Sequence, residues 1–213
     1  MIKKPVIGLL DTGTSNIKSV YYALIESNAE VVEIKNISDT NRNLHALIFP
    51  GIGNFSYVMQ KLKEKKLDKF ILEKIDLGLP SFFICVGMQI LFSKSFEFGI
   101  HLGLNYFEGQ VKKISKDMNK RSIRKVPLIG WNKLSKSKEC HLLKNVSDKD
   151  FFYFTHSYYV EPKKKEIISG LSKYYDFEYC SSISYKNVYA TQFHPEKSGT
   201  SGLKIYKNFI NLI

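Results

Sequence analysis

"FFICVGMQIL", residues 82–91, is an apolar run that meets a second apolar stretch of helical spacing, with Cys85 at the junction. A cysteine that only packs needs no such punctuation, because a free thiol fills core space as a small hydrophobe. A nucleophile does need it: the strand must end, the chain must turn sharply, and the side chain must stand at the opening of a helix. Gly87, two residues on, leaves room there for close backbone approach. The segment therefore predicts strand, turn and helix in succession, and a thiol at the turn would feel the helix dipole that favours the thiolate. Cys140 and Cys180 stand in segments without such turn chemistry and are read as packing residues.

The same alternation extends toward the N-terminus. "PVIGLLD" (5–11) is a short β-like run that ends in "TGTSN". "SNIKSVYYALIESN" then carries apolar residues at 17, 20, 21, 24 and 25, which is helical spacing, with Ser15 or Asn16 as its N-cap. "AEVVEIK" (29–35) and "HALIFPGIGN" (45–54) read as strands, 55–77 is Lys/Glu-rich with helical spacing, and "LPSFFIC" (79–85) is again a strand. This order predicts an α/β fold with an open, mostly parallel sheet flanked by helices. Past about residue 105 the segments shorten: "GQVKKI", "WNKLSK", "DFFYFTH", "EYCSSISYK" and "VYATQFH" predict a β-rich elaboration before a last helix, "SGLKIYKNFINLI". With no repeat and no Gly/Ser linker, residues 1–213 are read as one domain.

Composition narrows the class. Forty-four per cent apolar and 24% charged residues are ordinary for a globular chain of 213 residues. Three scattered cysteines argue against a disulfide framework and for a reducing compartment. The opening apolar run is too short for a signal or membrane helix, so the expected location is cytoplasmic, away from any membrane. A net charge of +12 raises the question of nucleic acid, but 29 Lys stand against 3 Arg (Arg42, Arg121 and Arg124). Arg is the residue of bidentate base and phosphate contacts. The scattered lysines are read as a solvated surface and no nucleic-acid partner is expected; a patch for a phosphorylated ligand or an acidic partner stays open.

Ligands of open α/β sheets bind beyond the carboxyl ends of the strands. "DTGTSN", "PGIGN", "CVGMQ" and "FHPEKSG" all fall at such ends. A thiol nucleophile needs a base, and the base needs an orienter. "QFHPEKSG" (192–199) offers both: His194, then Pro195 to fix the backbone, then Glu196 to hold the imidazole in one tautomer. His45, His101, His141 and His156 have no carboxylate two residues on. An attacked carbonyl also needs donors for its oxyanion. Gly51 and Gly53 around Ile52 allow that peptide to turn its N–H inward, and Val86, the residue after the nucleophile, is the usual second donor.

The ordered set "PGIGNF", "CVGMQILF", "KVPLIGWN", "FTHSYYV" and "ATQFHPEKSG" resembles the class I, triad-type glutamine amidotransferases, and among them the glutaminase subunits of imidazole glycerol phosphate synthase. The resemblance runs from "GLLDTGTSNIKSV" to "SGLKIYKNFI". It implies a glutamine substrate, with Cys85 as nucleophile, His194 as proton shuttle and Glu196 as its orienter. It implies oxyanion donors at Ile52 and Val86, and glutamine-holding positions at Gly51, Gly53, Gln89, Glu97, Ser157 and Tyr158. It implies no cofactor and no metal. Asn16, Trp131, Tyr153 and Lys197 match positions near a mouth where ammonia passes to a (β/α)8-barrel cyclase subunit, the partner in a heterodimer. One departure stands out: the family usually has Asp-Tyr-Gly-x-Gly-Asn in its first loop, where this chain has Asp11-Thr12-Gly13-Thr14-Ser15-Asn16. The catalytic set is untouched, but the departure keeps open a paralogous glutaminase that feeds ammonia to a cell-surface sugar. A catalytically idle scaffold is the third reading, disfavoured by the intact Cys85, His194 and Glu196.

Overall fold

Near-continuous apolar runs suit strands covered on both faces, and they form one half of the sheet in the computed structural model, which describes residues 4–13, 16–40, 42–115 and 125–213. These strands are β1 (Val6–Leu10), β2 (Glu30–Ile34), β3 (Ala46–Gly51) and β4 (Ser81–Cys85). Every residue of β3 and β4 is buried. Helix α1 (Ile17–Glu26) joins β1 to β2; α2 (Phe55–Glu64) and α3 (Leu67–Asp76) join β3 to β4; and α4 (Val86–Ile90) follows β4 directly. Strands β5 (Phe92–Ser95), β6 (His101–Leu102), β7 (Phe107–Lys113), β8 (Leu128–Asn132), β9 (Ser135–Lys136), β10 (Phe152–His156), β11 (Tyr158–Pro162), β12 (Ile168–Tyr174), β13 (Phe177–Tyr185) and β14 (Val188–Thr191) precede the last helix, α5 (Gly199–Ile210).

The main sheet runs β2-β1-β3-β4-β14-β13-β11-β7-β5-β6, with β12 and β9 branching from β13. Strands β2, β1, β3, β4 and β14 are mutually parallel, and the sheet turns antiparallel at β13. Strands β8 and β10 make a separate antiparallel pair. Helices flank the sheet: α1 packs with α5, and α2 packs with α3 and α4. The α/β architecture with a β-rich second half is thus the one the sequence pattern predicts.

Three local features differ from the pattern. The helical stretch 55–77 is two helices, because Lys66 takes a left-handed conformation (φ 58°) between them. That break lets Phe55, Val58, Met59 and Leu62 of α2 and Leu67, Phe70, Ile71 and Ile75 of α3 all reach the core. "WNKLSK" divides between β8 and β9, and the strands β5, β6 and β12 arise from segments that carried no clear alternation. Asn16 occupies the N-cap position of α1, but its Nδ2 donates to Ser19 Oγ (2.9 Å) instead of its oxygen capping the backbone. Ser15, the other candidate cap, lies outside the described residues, as do Thr14, Arg121 and Arg124.

Aromatic burial ties the last helix beneath the site. Phe82 of β4 packs edge-on to Tyr206 and tilted against Phe209 of α5, and all three are fully buried. Each large apolar side chain removed from water contributes about 1.5–3 kcal/mol. Among the described residues, no helix is long and apolar enough to cross a membrane.

Candidate active site

Cys85 ends β4 at φ 55°, ψ −110°, and α4 begins at the next residue. A non-glycine residue held there is strained backbone, of the kind that persists where surrounding structure over-determines it. The clamp is visible. Gly51 lies opposite Cys85 in the β3–β4 register. A Cβ on Gly51 would sit 2.5 Å from the Gly87 nitrogen, and one on Gly87 would sit 2.6 Å from the Phe49 oxygen. Both glycines therefore let the end of β3 press directly on the start of α4. Gly51, matched by resemblance to the glutamine-holding set, has this packing job in the structure. Helix α4 spans five residues, so the dipole available at its start is correspondingly small.

His194 stands on the chain after β14. His194 N–H donates to the Tyr153 carbonyl (2.9 Å), which links this segment to β10. Ser198 Oγ reinforces the link, accepting from Tyr153 N–H (3.0 Å) and donating to the His194 carbonyl (2.6 Å). Pro195 opens the 3-10 turn Pro195–Lys197, which swings Glu196 back beneath the imidazole. His194 Nδ1 lies 2.7 Å from Glu196 Oε1, and both side chains are 1% exposed. A carboxylate accepts only, so Nδ1 carries a proton, and Nε2 has no hydrogen-bond partner among the described residues. Burial works against charging the ring, but the Cys85 sulfur and the Glu196 carboxylate outweigh it and push the pKa up to about 10.

A cavity of about 230 Å³ joins these groups. Cys85, His194, Ile52, Gly53, Val86, Gln89, Glu97, Ser157 and Tyr158 line it, together with Pro127, Thr155 and His156. Nine residues singled out in the sequence thus meet in one hollow at the carboxyl ends of β3 and β4 and beyond β14, where open α/β sheets bind ligands. Gln89 Nε2 donates to the Tyr158 carbonyl and to Gln192 Oε1 (3.0 Å each). Both amide hydrogens are committed to protein, which leaves the carbonyl oxygen to meet a ligand. Glu97 Oε2 accepts from Phe55 N–H (2.6 Å) at the start of α2, and its half-burial raises its pKa against that bond. A wider groove of about 760 Å³ at the β5–β7–β11 edge contains none of these residues.

The remaining sequence-derived residues form an outer cluster. Trp131 is 57% exposed and meets the Tyr153 ring edge-on at 5.8 Å across the β8–β10 pair. Lys197 Nζ sits 5.7 Å from the centre of the same Tyr153 ring. Asn16 stands at the head of α1, which packs on the turn carrying Lys197. Ile129 (62% exposed) and Phe151 (44%) enlarge the apolar part of this face.

Two contributors carried no readable signal. Gln192, fully buried, donates to Cys85 Sγ (3.6 Å) and accepts from Gln89, so it bridges the thiol and the cavity wall. It lies inside "QFHPEKSG", but nothing about a lone Gln at a strand end marks it. His156 is buried with Nδ1 2.8 Å from the Tyr158 carbonyl, so Nδ1 is its donor. Burial, aided by the neighbouring His194 charge and opposed by the Tyr158 contact, lowers its pKa to about 4, and it is a neutral imidazole at neutral pH. Among the described residues, no three His, Cys, Asp or Glu side chains gather as a metal ion would require.

The family model described as glutamine amidotransferase class-I matches residues 8–212, and the chain belongs to that family. Within it, the imidazole glycerol phosphate synthase subunit HisH of Chlorobium chlorochromatii is 37% identical over 211 residues, covering 97% of this chain and 100% of that one. The HisH subunit of Caldanaerobacter subterraneus subsp. tengcongensis is 38% identical over 208 residues, covering 98% of each. Near full-length identity at this level makes the chain a member of the HisH family, the glutamine amidotransferase subunits of imidazole glycerol phosphate synthase. The fold alone is shared with a chain of PurLQS from Thermotoga maritima, at 17% identity, a TM-score of 0.74 and 99% coverage of both.

Proposed function

We propose that this subunit hydrolyses glutamine through Cys85, His194 and Glu196, as one type 1 amidotransferase domain spanning 1–213, and passes ammonia to a (β/α)8-barrel cyclase subunit that makes imidazole glycerol phosphate. The observation that carries the reading is the strained Cys85 elbow sharing one small cavity with His194, itself bonded to Glu196 at 2.7 Å. The Cys85 thiolate attacks the side-chain amide carbon of glutamine, forming a C–S bond. Backbone N–H groups of Ile52 and Val86 take the charge that builds on oxygen. Collapse breaks the C–N bond as His194 gives its Nε2 proton to the leaving nitrogen, and ammonia departs from a γ-glutamyl thioester. Acylation removes the thiolate charge that had raised the His194 pKa. The same ring then becomes a base, takes a proton from water, and the hydroxide displaces the thiolate to release glutamate.

Gln89, Glu97, Ser157 and Tyr158 are the residues placed to hold the amino-acid end of glutamine, since they line the cavity around the thiol. The exposed Trp131–Tyr153–Lys197 cluster, with Asn16 beside it, supports a docking face for the cyclase. Full-length similarity to HisH subunits favours the histidine-pathway acceptor over a surface sugar despite the altered first loop. Reactive ammonia should not be made without an acceptor, so the isolated subunit should be feeble. Withholding about 4 kcal/mol of transition-state stabilisation corresponds to about a thousandfold. The test is steady-state glutamate release by the subunit with and without the cyclase of the same organism and its ribonucleotide ligand. Full activity alone would refute the coupling; no activation by that cyclase would favour the surface-sugar acceptor.

A further inference from the structure

A second cavity of about 500 Å³, which His194 does not line, lies between α1 and α5. Ser19, Tyr22 and Glu26 of α1, Glu196 itself, and Thr200 and Tyr206 of α5 help to line it. Two of these groups are unusual. Glu196 Oε1 accepts from His194, but Oε2 has no partner among the described residues, and the side chain is 1% exposed. Tyr206 is fully buried, its ring edge-on to Phe82 at 6.2 Å, and its hydroxyl also has no partner among the described residues. Buried polar groups without partners are rare, and one of these is an acceptor while the other carries the donor it lacks.

We propose that Tyr206 is a positioning residue of the catalytic site: its hydroxyl turns to Glu196 Oε2, the buried acceptor that also lacks a partner, and the bond holds the carboxylate in place under His194. The inference rests on the triad reading above. Tyr206 is suited to the role because burial first, and the Glu196 charge second, raise its pKa well above the ordinary value, so it stays a donor at any working pH. The other titratable groups facing Glu196 are His194 on its own turn, with the Cys85 sulfur beyond it, and Tyr22 and Glu26 from α1. Glu26 is a like charge, which makes a donor on that side more necessary. Without the hydroxyl, the ionised form of Glu196 loses a hydrogen bond, which disfavours that form.

Tyr206→Phe removes the hydroxyl and keeps the ring. In the complex with the cyclase, it should move the acid limb of the kcat/KM profile up by about one pH unit and lower turnover at neutral pH several-fold. Placed on Glu196→Gln, the same change should cause no further loss, because the group it acts through is already neutral. If the Phe variant is less stable, 3-fluorotyrosine at position 206 offers the opposite perturbation: a stronger donor should move the limb down. An unmoved limb in both variants would overturn the inference, as would an undiminished loss in the Glu196→Gln background. If Glu196→Gln itself leaves turnover intact, the triad reading fails first and the role of Tyr206 falls with it.

Discussion

Replacing Cys85 by alanine and by glycine separates the backbone strain at the elbow from the chemistry of the thiol. Both variants lose the nucleophile and should release no glutamate, so activity does not distinguish them. Stability should. At φ 55°, ψ −110° a side chain is held outside even the left-handed helical well, and the upper part of the 1–3 kcal/mol range for such strain applies, about 3 kcal/mol. Glycine relieves it but loses about 0.5–1 kcal/mol through the freedom of the unfolded chain and about 0.8 kcal/mol for one buried methyl group. The glycine variant should therefore be the more stable by about 1.5 kcal/mol, or about 3–6 °C in unfolding temperature for a chain of this size. The control is Ala190→Gly in β14, a fully buried position in an ordinary strand, where the same atoms are lost and stability should fall by 1 kcal/mol or more. Urea unfolding at unchanged m-value and thermal scans of the variants give the comparison. An alanine variant as stable as the glycine one would mean that the elbow is not strained, and the argument that β3 and α4 force the thiol into position would fail.

Three other outcomes are expected. A glutamine-analogue electrophile should label Cys85 and spare Cys140 and Cys180, since burial pushes the Cys180 thiol up to about 12; peptide mapping that finds the label mainly on either of the other two would remove Cys85 as nucleophile. His194→Asn should lower turnover far more than Glu196→Gln, because on the proposed reading one transfers the proton and the other orients the ring; equal, small losses would reduce "HPE" to a structural turn. Asp150 is pushed up by burial but held down at about 2 by Lys204, Ser201 and the Ser147 backbone. Its folded pKa lies below the unfolded one, so its contribution, about 1–2 kcal/mol after screening at the half-exposed Lys204, is present above pH 4 and lost as pH falls toward 2. Unfolding midpoints of wild type and Asp150→Asn should converge across that window; a constant gap would contradict it.

What was legible in the sequence follows from where its signals are local. Strands β1, β3 and β4 are buried on both faces, so their apolar runs are continuous and bounded by Gly or Pro. The elbow and the 192–199 turn were readable for the same reason: each packs its chemistry into a few consecutive residues. The short strands β5 and β6, with exposed Leu102 and half-exposed Phe96 about them, lack clean alternation because the sheet edge gives them only one partly covered face. The helix break at Lys66 is set by two apolar faces turning toward one core, which no single residue announces. Gln192 and Tyr206 were illegible because their meaning is a contact with Cys85 and a cavity shared with Glu196, and both depend on the assembled fold.

The segment 192–198 concentrates the site's logic. Within seven residues it carries the amide that touches the thiol, the imidazole, its carboxylate, the lysine of the outer aromatic cluster, and the serine that pins the turn to β10. Lys197 is therefore one peptide away from Glu196, and its ammonium lies over Tyr153, whose carbonyl accepts from His194 N–H. A cyclase that engages Lys197, Tyr153 and Trp131 bears on the same backbone that sets the imidazole. On the proposed reading no long relay is needed between docking and chemistry: the two faces of one turn serve both. The consequence is specific. Lys197→Ala should weaken activation by the cyclase and alter basal glutamate release at the same time, whereas Trp131→Ala, on β8 and joined to the turn only through Tyr153, should reduce activation and leave basal release unchanged. If Lys197→Ala changed neither, the turn would carry catalysis alone, and coupling would have to enter through the Ile52 peptide on the other side of the cavity.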